Sequence, residues 1–257
     1  MLLAIDVGNS HTVIGLFKEG RLRYHWRVNT NRDHTGDELA ALFWNLLALE
    51  ELTFEHVHGL IIASVVPAMH SAWLTFGRRH IELDPLFVDH TLETGVTIRT
   101  DHPAEVGADR IVNAVAAFAN SPGPLIVIDF GTATTFDCIS AQGEYLGGAI
   151  APGMGISLDA LTKRTAKLPR VDISTPLDKA IGTDTVGAIK SGVLLGYGGL
   201  VDGLIKHLKG DMAPEEPKVV ATGGMAGIIA PYTESIDALE PMLTLEGLRL
   251  LHERNTN

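Results

Sequence analysis

Two stretches of this chain are written on one plan, and that repetition constrains its fold more than any other feature. Leu125–Asp137 reads LIVIDFGTATTFD and Leu2–Gly15 reads LLAIDVGNSHTVIG. In each, an apolar run drives into an aspartate (Asp129, Asp6). A glycine follows two residues on (Gly131, Gly8), then small polar residues, then a second apolar, β-branched run. Such a pattern predicts a buried strand, a tight polar turn and a second strand. The two copies lie about half the chain apart, which points to a duplication in which each half presents one turn to a shared cleft. The expected fold class is therefore α/β with two duplicated lobes, over residues 1–120 and 121–257, the Pro/Gly joint at Ser121–Pro124 marking the boundary.

The chemistry of the turns follows from their residue types. A glycine lets backbone N–H groups approach an anion, and Ser or Thr hydroxyls add donors without bulk. An aspartate repels phosphate, so its presence implies a cation between the two. Oxygen ligands of this kind suit Mg²⁺, which is commonly shared with substrate phosphates. The pattern thus predicts a nucleoside triphosphate held between two turns with a metal; the competing reading is a pair of ordinary hairpins with acidic turn residues.

Composition narrows the partners. The 257 residues are 46% hydrophobic, enough for a substantial core, and the formal net charge of −11 argues against a nucleic-acid or anionic-membrane surface. Cys138 is the only cysteine, so no intramolecular disulfide or zinc framework is available and a cytoplasmic location is expected. No secretory signal or run of ~18 uncharged apolar residues is seen. His56 and His58 alternate with Val57 as on an exposed strand face.

Along the chain, Thr12–Phe17 and Leu22–Val28 predict a hairpin turning at Gly20. Asp37 and Glu38 open an amphipathic helix with Leu39, Leu42, Phe43, Leu46 and Leu47 on its apolar face. Gly59–Val66 reads as a central parallel strand closed by Pro67, Leu86–Val88 as a short strand and Thr91–Asp101 as a polar crossover. In PAEVGADRIVNAVAAFAN a helix is expected from about Ala108, with Asp109 and Asn113 sharing a face and Val112, Val115, Ala116 and Ala119 packing. Asp109 is then either a first-turn acid favoured by the helix dipole or a general base projecting from a rigid helix end. In the second half, Thr135–Ser140 and Glu144–Ile150 form a hairpin at Gln142-Gly143, and Gly147–Ser157 is a glycine-dense loop before a helix. Lys163–Pro176 is a surface excursion, and Gly182–Leu204 a long helix whose glycines predict close packing or a kink. Lys218–Ala221 feeds Thr222-Gly223-Gly224, a strand–glycine–helix arrangement suited to passing under a nucleotide. An amphipathic helix at Pro241–Glu253 closes the order.

DVGNSHTVIG, EVGADRIVNAVAA, DFGTATTFD, GGAIAPG and the late ATGG together resemble the type III pantothenate kinases, within the superfamily of actin, sugar kinases and acetate kinase, over residues 2 to about 250. The resemblance implies two ribonuclease-H-like lobes of the actin-like ATPase fold, a homodimer, and phosphorylation of pantothenate by ATP with Mg²⁺ and a monovalent cation, K⁺ or NH₄⁺. It implies that Asp6 holds Mg²⁺ through water. Asp6, Val7, Gly8, Asn9, Ser10, His11, Thr12 and Val13 would form the first ATP-binding segment, with Gly131, Thr132, Gly223 and Gly224 contacting ATP from the second half. Asp129 would hold the monovalent cation. Gly107, Ala108, Asp109 and Arg110 would bind pantothenate, with Asp109 the proton acceptor, and Thr185 would be a further substrate contact. Three positions depart from the family pattern: Ser10 stands for the commoner threonine, Asp184 for asparagine, and Thr100 for a tyrosine that contacts substrate.

Overall fold

A computed structural model describes residues 1–165 and 167–256. In chain order the first strands are β1 (Leu2–Val7), β2 (His11–Lys18) and β3 (Arg21–Asn29), followed by helix α1 (Gly36–Ala48), β4 (Gly59–Ser64), α2 (His70–Phe76) and β5 (Leu86–Phe87). Then come β6 (Thr97–Ile98), α3 (Ala108–Asn120), β7 (Leu125–Phe130), β8 (Ala133–Ile139), β9 (Glu144–Pro152) and α4 (Met154–Arg164). The order ends with α5 (Thr185–Asp211), β10 (Lys218–Thr222), α6 (Ala226–Ile229), β11 (Ala238–Leu239) and α7 (Leu243–Thr256).

The strands form two sheets that repeat one topology. The first runs β3-β2-β1-β4-β5; the second runs β9-β8-β7-β10-β11, with β6 added outside β9. In both, the first three strands are an antiparallel meander, and the next two join parallel to the first strand. The predicted duplication is thus present as two copies of a ribonuclease-H-like sheet. Both aspartates occupy the next-to-last position of their first strand, in register with Val13 and Thr135 respectively. The turns differ by one residue: Val7 pairs with Thr12, whereas Phe130 pairs with Thr134.

Local sequence explains the first copy. Glu19 and Gly20 both have positive φ at the β2–β3 turn, as a two-residue hairpin requires. Thr35 caps α1 through a capping box with Glu38. Leu3, Ile5 and Val7 point to one face of β1 and meet Leu39, Phe43 and Leu47 of α1, with Trp73 and Phe76 of α2, in one buried cluster. Each of these fully buried side chains contributes roughly 1.5–3 kcal/mol. The other face of β1 carries Ala4 and Asp6. There Gly15 of β2, in register with Ala4, leaves room for Leu245 of α7, whose Cδ1 lies 3.0 Å from where a Cβ would stand.

Contacts group the chain into two compact units, and not into contiguous halves. The first comprises Met1–Val96, Asp101–Ala116 and the residues from Leu243 on; the second comprises Thr97–Thr100 and Ala117–Met242. Beside the division expected at 120/121, the contact units place Thr97–Thr100 and residues 117–120 with the second unit and the segment from Leu243 on with the first. Leu245, Leu248 and Leu251 of α7 are buried, and Gly247 lies so close to α3 that a Cβ there would be 2.2 Å from the Val112 carbonyl oxygen. Gly247→Ala is accordingly expected to cost roughly 1–3 kcal/mol of stability through overpacking, read as a lowered Tm in thermal denaturation.

Other expectations are also revised. The crossover at Thr91–Asp101 contains β6, which pairs parallel with β9. His56 ends a short 3-10 helix and accepts the Thr53 amide on Nδ1, so the His56/His58 strand does not form. Ala119 is exposed, and every residue of α3 from Ile111 to Ala117 is buried, so its burial does not follow one face. Gly147–Pro152 is strand, with only Gly153 capping α4. Position 166 of the predicted excursion lies outside the described residues, and residues 167–184 carry no helix or strand. Helix α5 runs seven residues past Leu204. Among its glycines Gly198 is the most closely packed, against Tyr232, while Gly192, Gly196, Gly199, Gly203 and Gly210 meet no described residue. By length and composition α5 could cross a membrane, although Lys190, Asp202 and Lys206 lie along it.

Candidate functional site

In the first unit the turn after β1 is stapled from beneath. The Gly8 amide donates to the His11 carbonyl at 3.0 Å, closing the turn, so this glycine shapes the loop with its own N–H already engaged. A side chain there would stand 3.0 Å from the His11 carbonyl oxygen. Thr30 Oγ1 donates to the Gly8 carbonyl at 2.7 Å and lies 2.9 Å from Thr12 Oγ1. A hydroxyl has one proton, so Thr12 must donate to Thr30. Thr12 is buried and Val7 fully so; these two residues hold the turn, while Asn9, Ser10 and His11 are exposed along it. Thr30, one residue past β3, gave no sequence signal because its role depends on the β2–β3 pairing that brings it back to the turn.

Two arginines reach the same turn. Arg32 Nη2 donates to Asn9 Oδ1 at 2.8 Å, and Arg27 Nη2 donates to His11 Nδ1 at 3.0 Å. Burial, and then the Arg27 charge, hold the His11 pKa below its usual 6.5.

The amino end of α3 belongs to the first unit as well. Gly107 accepts the Arg110 and Ile111 amides at 3.1 Å on its carbonyl, and Asp109 Oδ1 accepts the Arg110 amide at 2.8 Å. Gly107 has a steric reason: a Cβ would lie 2.6 Å from Asp109 Oδ1. Burial pushes the Asp109 pKa above its usual 3.8, opposed by the Arg110 amide and guanidinium. Desolvation of this kind is how a carboxylate becomes a stronger proton acceptor. Ala108 is buried and Arg110 half-buried. Asn113, one turn on, is buried and accepts the Thr244 hydroxyl at 2.8 Å, so it serves the contact with α7.

In the second unit, two glycines distant in sequence back the end of β7 and the turn after it, Gly223 against Asp129 and Gly153 against Thr132. At Gly223, φ is +92° and a Cβ would lie 2.4 Å from Asp129 Oδ1 and 2.6 Å from the Phe130 amide nitrogen. At Gly153 a Cβ would lie 2.2 Å from the Thr132 carbonyl oxygen, and the Gly153 amide donates to that oxygen at 3.0 Å. The Gly131 amide donates to the Ala133 carbonyl at 3.1 Å, so the second turn, like the first, spends its glycine N–H on itself. Gly131 and Gly224 are exposed and Thr132 half-buried. Beside Asp129, Thr135 donates to Asp137 Oδ2 at 3.3 Å, and Tyr145 donates to Asp137 Oδ1 at 2.6 Å. Asp137 and Tyr145 are buried. This polar pair was missed because an acid in a β-branched run reads as a solvated face.

Thr185 is exposed as the first residue of α5, whose cap is Asp184, accepting the Gly187 amide at 2.7 Å. Aspartate and asparagine cap equally well, which accounts for the departure at this position. The Thr100 hydroxyl oxygen is buried with no hydrogen-bond partner among the described residues.

The oxygen-rich turns fit the expected cations by donor chemistry. Each offers one carboxylate with neighbouring hydroxyl and carbonyl oxygens, and among the described residues no three His, Cys, Asp or Glu gather into a protein cage. A single carboxylate suits an ion completed by water and substrate phosphate.

Comparison with known proteins agrees in family and in fold. The sequence model described as type III pantothenate kinase matches residues 2–207. A type III pantothenate kinase from Koribacter versatilis is 50% identical, covering 99% of this chain and 96% of its own. Among solved structures, the activator of the 2-hydroxyisocaproyl-CoA dehydratase from Clostridium difficile with bound ADPNP superposes with TM-score 0.59 at 13% identity, covering 98% of this chain and 93% of that one. The ROK hexokinase from Thermus thermophilus gives 0.50 at 14% identity, with 98% and 97% covered. At these identities the two structures speak for the fold alone.

Proposed function

We propose how individual residues act in a chain that belongs to the type III pantothenate kinase family and phosphorylates pantothenate in coenzyme A biosynthesis, with ATP as donor. Asp109 accepts the proton of the pantothenate hydroxyl as its oxygen forms a bond to the γ-phosphorus. The bond from that phosphorus to the β–γ bridging oxygen breaks, and ADP carries away the electron pair. The observation that carries this assignment is a desolvated carboxylate with a raised pKa at a helix start, given room by Gly107 and held by the Arg110 amide. Gly107, Ala108 and Arg110 line the acceptor, Arg110 supplying a permanent positive charge, and Thr185 adds a further contact.

Asp6, Val7, Gly8, Asn9, Ser10, His11, Thr12 and Val13 present the nucleotide phosphates with exposed donors at Asn9 and Ser10 on a turn braced by Thr12 and Thr30. In the second unit Gly131, Thr132, Gly223 and Gly224 contact ATP. Mg²⁺ held by Asp6 through water, and K⁺ or NH₄⁺ held by Asp129, would neutralise phosphate charge, the main requirement of phosphoryl transfer. The acting species is a cytoplasmic homodimer that needs no nucleic acid or membrane.

Incubation with pantothenate, ATP, Mg²⁺ and K⁺ is expected to yield 4′-phosphopantothenate and ADP, and product no greater than in an enzyme-free control would refute the activity. Replacing K⁺ by Na⁺ should lower the rate. Asp129→Ala should abolish that difference; a variant still stimulated by K⁺ would show that the cation sits elsewhere.

A further inference from the structure

The chain is acidic overall, yet residues 18–32 hold five Lys or Arg against one Glu. Along β3 the side chains of Arg21, Arg23, His25 and Arg27 are exposed at every second position, and Arg32 is exposed just beyond. Among the described residues neither Arg27 nor Arg32 makes an ion pair with a carboxylate, so their charge is not cancelled locally. Both instead bond to side chains of the first turn, Arg32 to Asn9 and Arg27 to His11. The strand register fixes where that charge stands. Asp6 pairs with Val13, and Val13 pairs with Arg27, so Asp6 and Arg27 share one face of the sheet two strands apart. Two strand spacings are roughly 10 Å, about the reach of a triphosphate chain.

The Arg27 bond also settles the state of His11. Arginine only donates, so His11 Nδ1 must be the acceptor and the ring proton sits on Nε2. Arg27 thereby makes the imidazole a neutral donor on the turn.

We propose that Arg27 and Arg32, with the His11 ring that Arg27 fixes, form a cationic rim to the first turn that captures the polyphosphate of an incoming nucleoside triphosphate. This rests on the reading that the Gly8–Val13 turn holds nucleotide phosphates. A local positive field on an acidic protein matters because the remaining surface repels a polyanion; a rim of this kind raises the encounter rate by 10-fold or more and fails in high salt.

The test is stopped-flow association of a fluorescent, non-hydrolysable ATP analogue with Mg²⁺. It is run at about 0.01 M salt, where charges act over about 30 Å, and at about 1 M, where their reach is about 3 Å. The double variant Arg27→Gln with Arg32→Gln should associate roughly tenfold more slowly at low salt and like the parent at high salt, with KM for ATP raised and kcat retained. Arg27→Lys with Arg32→Lys should recover most of the rate. Lys18→Gln with Arg21→Gln removes the same net charge at the far end of the hairpin, roughly 20 Å from Arg27, and should change little. Equal slowing by both Gln pairs would mean net charge alone acts, and an unchanged rate in the Arg27/Arg32 pair would remove the rim outright. Gly8→Val separates the underlying reading. If it abolishes analogue binding while the Arg27/Arg32 pair behaves as the parent, only the rim is wrong; if it binds normally, the turn is not the phosphate site and the rim falls with it.

Discussion

Asp109→Asn should lower kcat by about 10²- to 10⁴-fold while leaving the affinity for an ATP analogue close to that of the parent. The amide keeps the shape and still accepts the Arg110 amide proton, but it cannot take a proton from the acceptor hydroxyl. A kcat within a few-fold of the parent would remove Asp109 from the chemistry. Stability supplies an independent reading of the same residue. Burial raises the Asp109 pKa above 3.8, so the folded chain binds this proton more tightly than the unfolded chain. The associated stability is fully present below 3.8 and is lost as pH climbs through the raised folded value. Asparagine has no such loss, so at neutral pH the variant should melt no lower than the parent, with its relative advantage vanishing in acid. Paired thermal melts at acidic and neutral pH check the sign. A catalytic collapse without a fall in Tm also separates this residue from a merely structural one, for which activity and stability decline together.

Gly223→Ala should damage both stability and cation dependence. The added methyl enters at φ +92°, where side chains are strained, and would lie 2.4 Å from Asp129 Oδ1 and 2.6 Å from the Phe130 nitrogen. Strain and overpacking together are expected to cost roughly 2–5 kcal/mol. Whatever relaxes must move Asp129 or the backbone of β7, so K⁺ stimulation should weaken beyond what the Tm loss explains. Gly227→Ala is the matched control four residues on, since a Cβ there meets nothing within 4 Å among the described residues. Calorimetry of both variants and a K⁺ titration of the rate decide the matter. A Gly223→Ala protein with parental Tm and parental K⁺ response would mean that this glycine does not set the position of Asp129.

What could be read from the residues was what repeats or alternates. The paired Asp-x-Gly turns gave both sheets, because a buried strand followed by a tight turn has a local signature that needs no knowledge of its neighbours. The hairpin at Gly20, the parallel strand at Gly59–Ser64 and the helix from Ala108 were legible for the same reason. Less legible was anything that depends on which segments later meet. Gly153 looked like a loop glycine ahead of a helix and Gly223 like one passing under a nucleotide, yet their steric work is done against Thr132 and Asp129. Thr30 braces the first turn from the end of β3, and Asp137 with Tyr145 forms a buried polar pair across two strands; neither is visible until strands are in register. The helix glycines show the opposite error. Their number in α5 predicted close packing or a kink, but a glycine records only that a side chain is missing, and five of them face no neighbour among the described residues.

The membership of α7 in the first unit also has a bearing on biosynthesis. Translation runs from the amino to the carboxyl end, so the first sheet emerges from the ribosome long before the segment that covers its second face. The intervening unit, nearly continuous from Ala117 to Met242, has almost all its parts available sooner. A nascent chain must therefore keep the apolar surface around Ala4 and Gly15 from aggregating until Leu245, Leu248 and Leu251 arrive, and the portion made first is the last to mature.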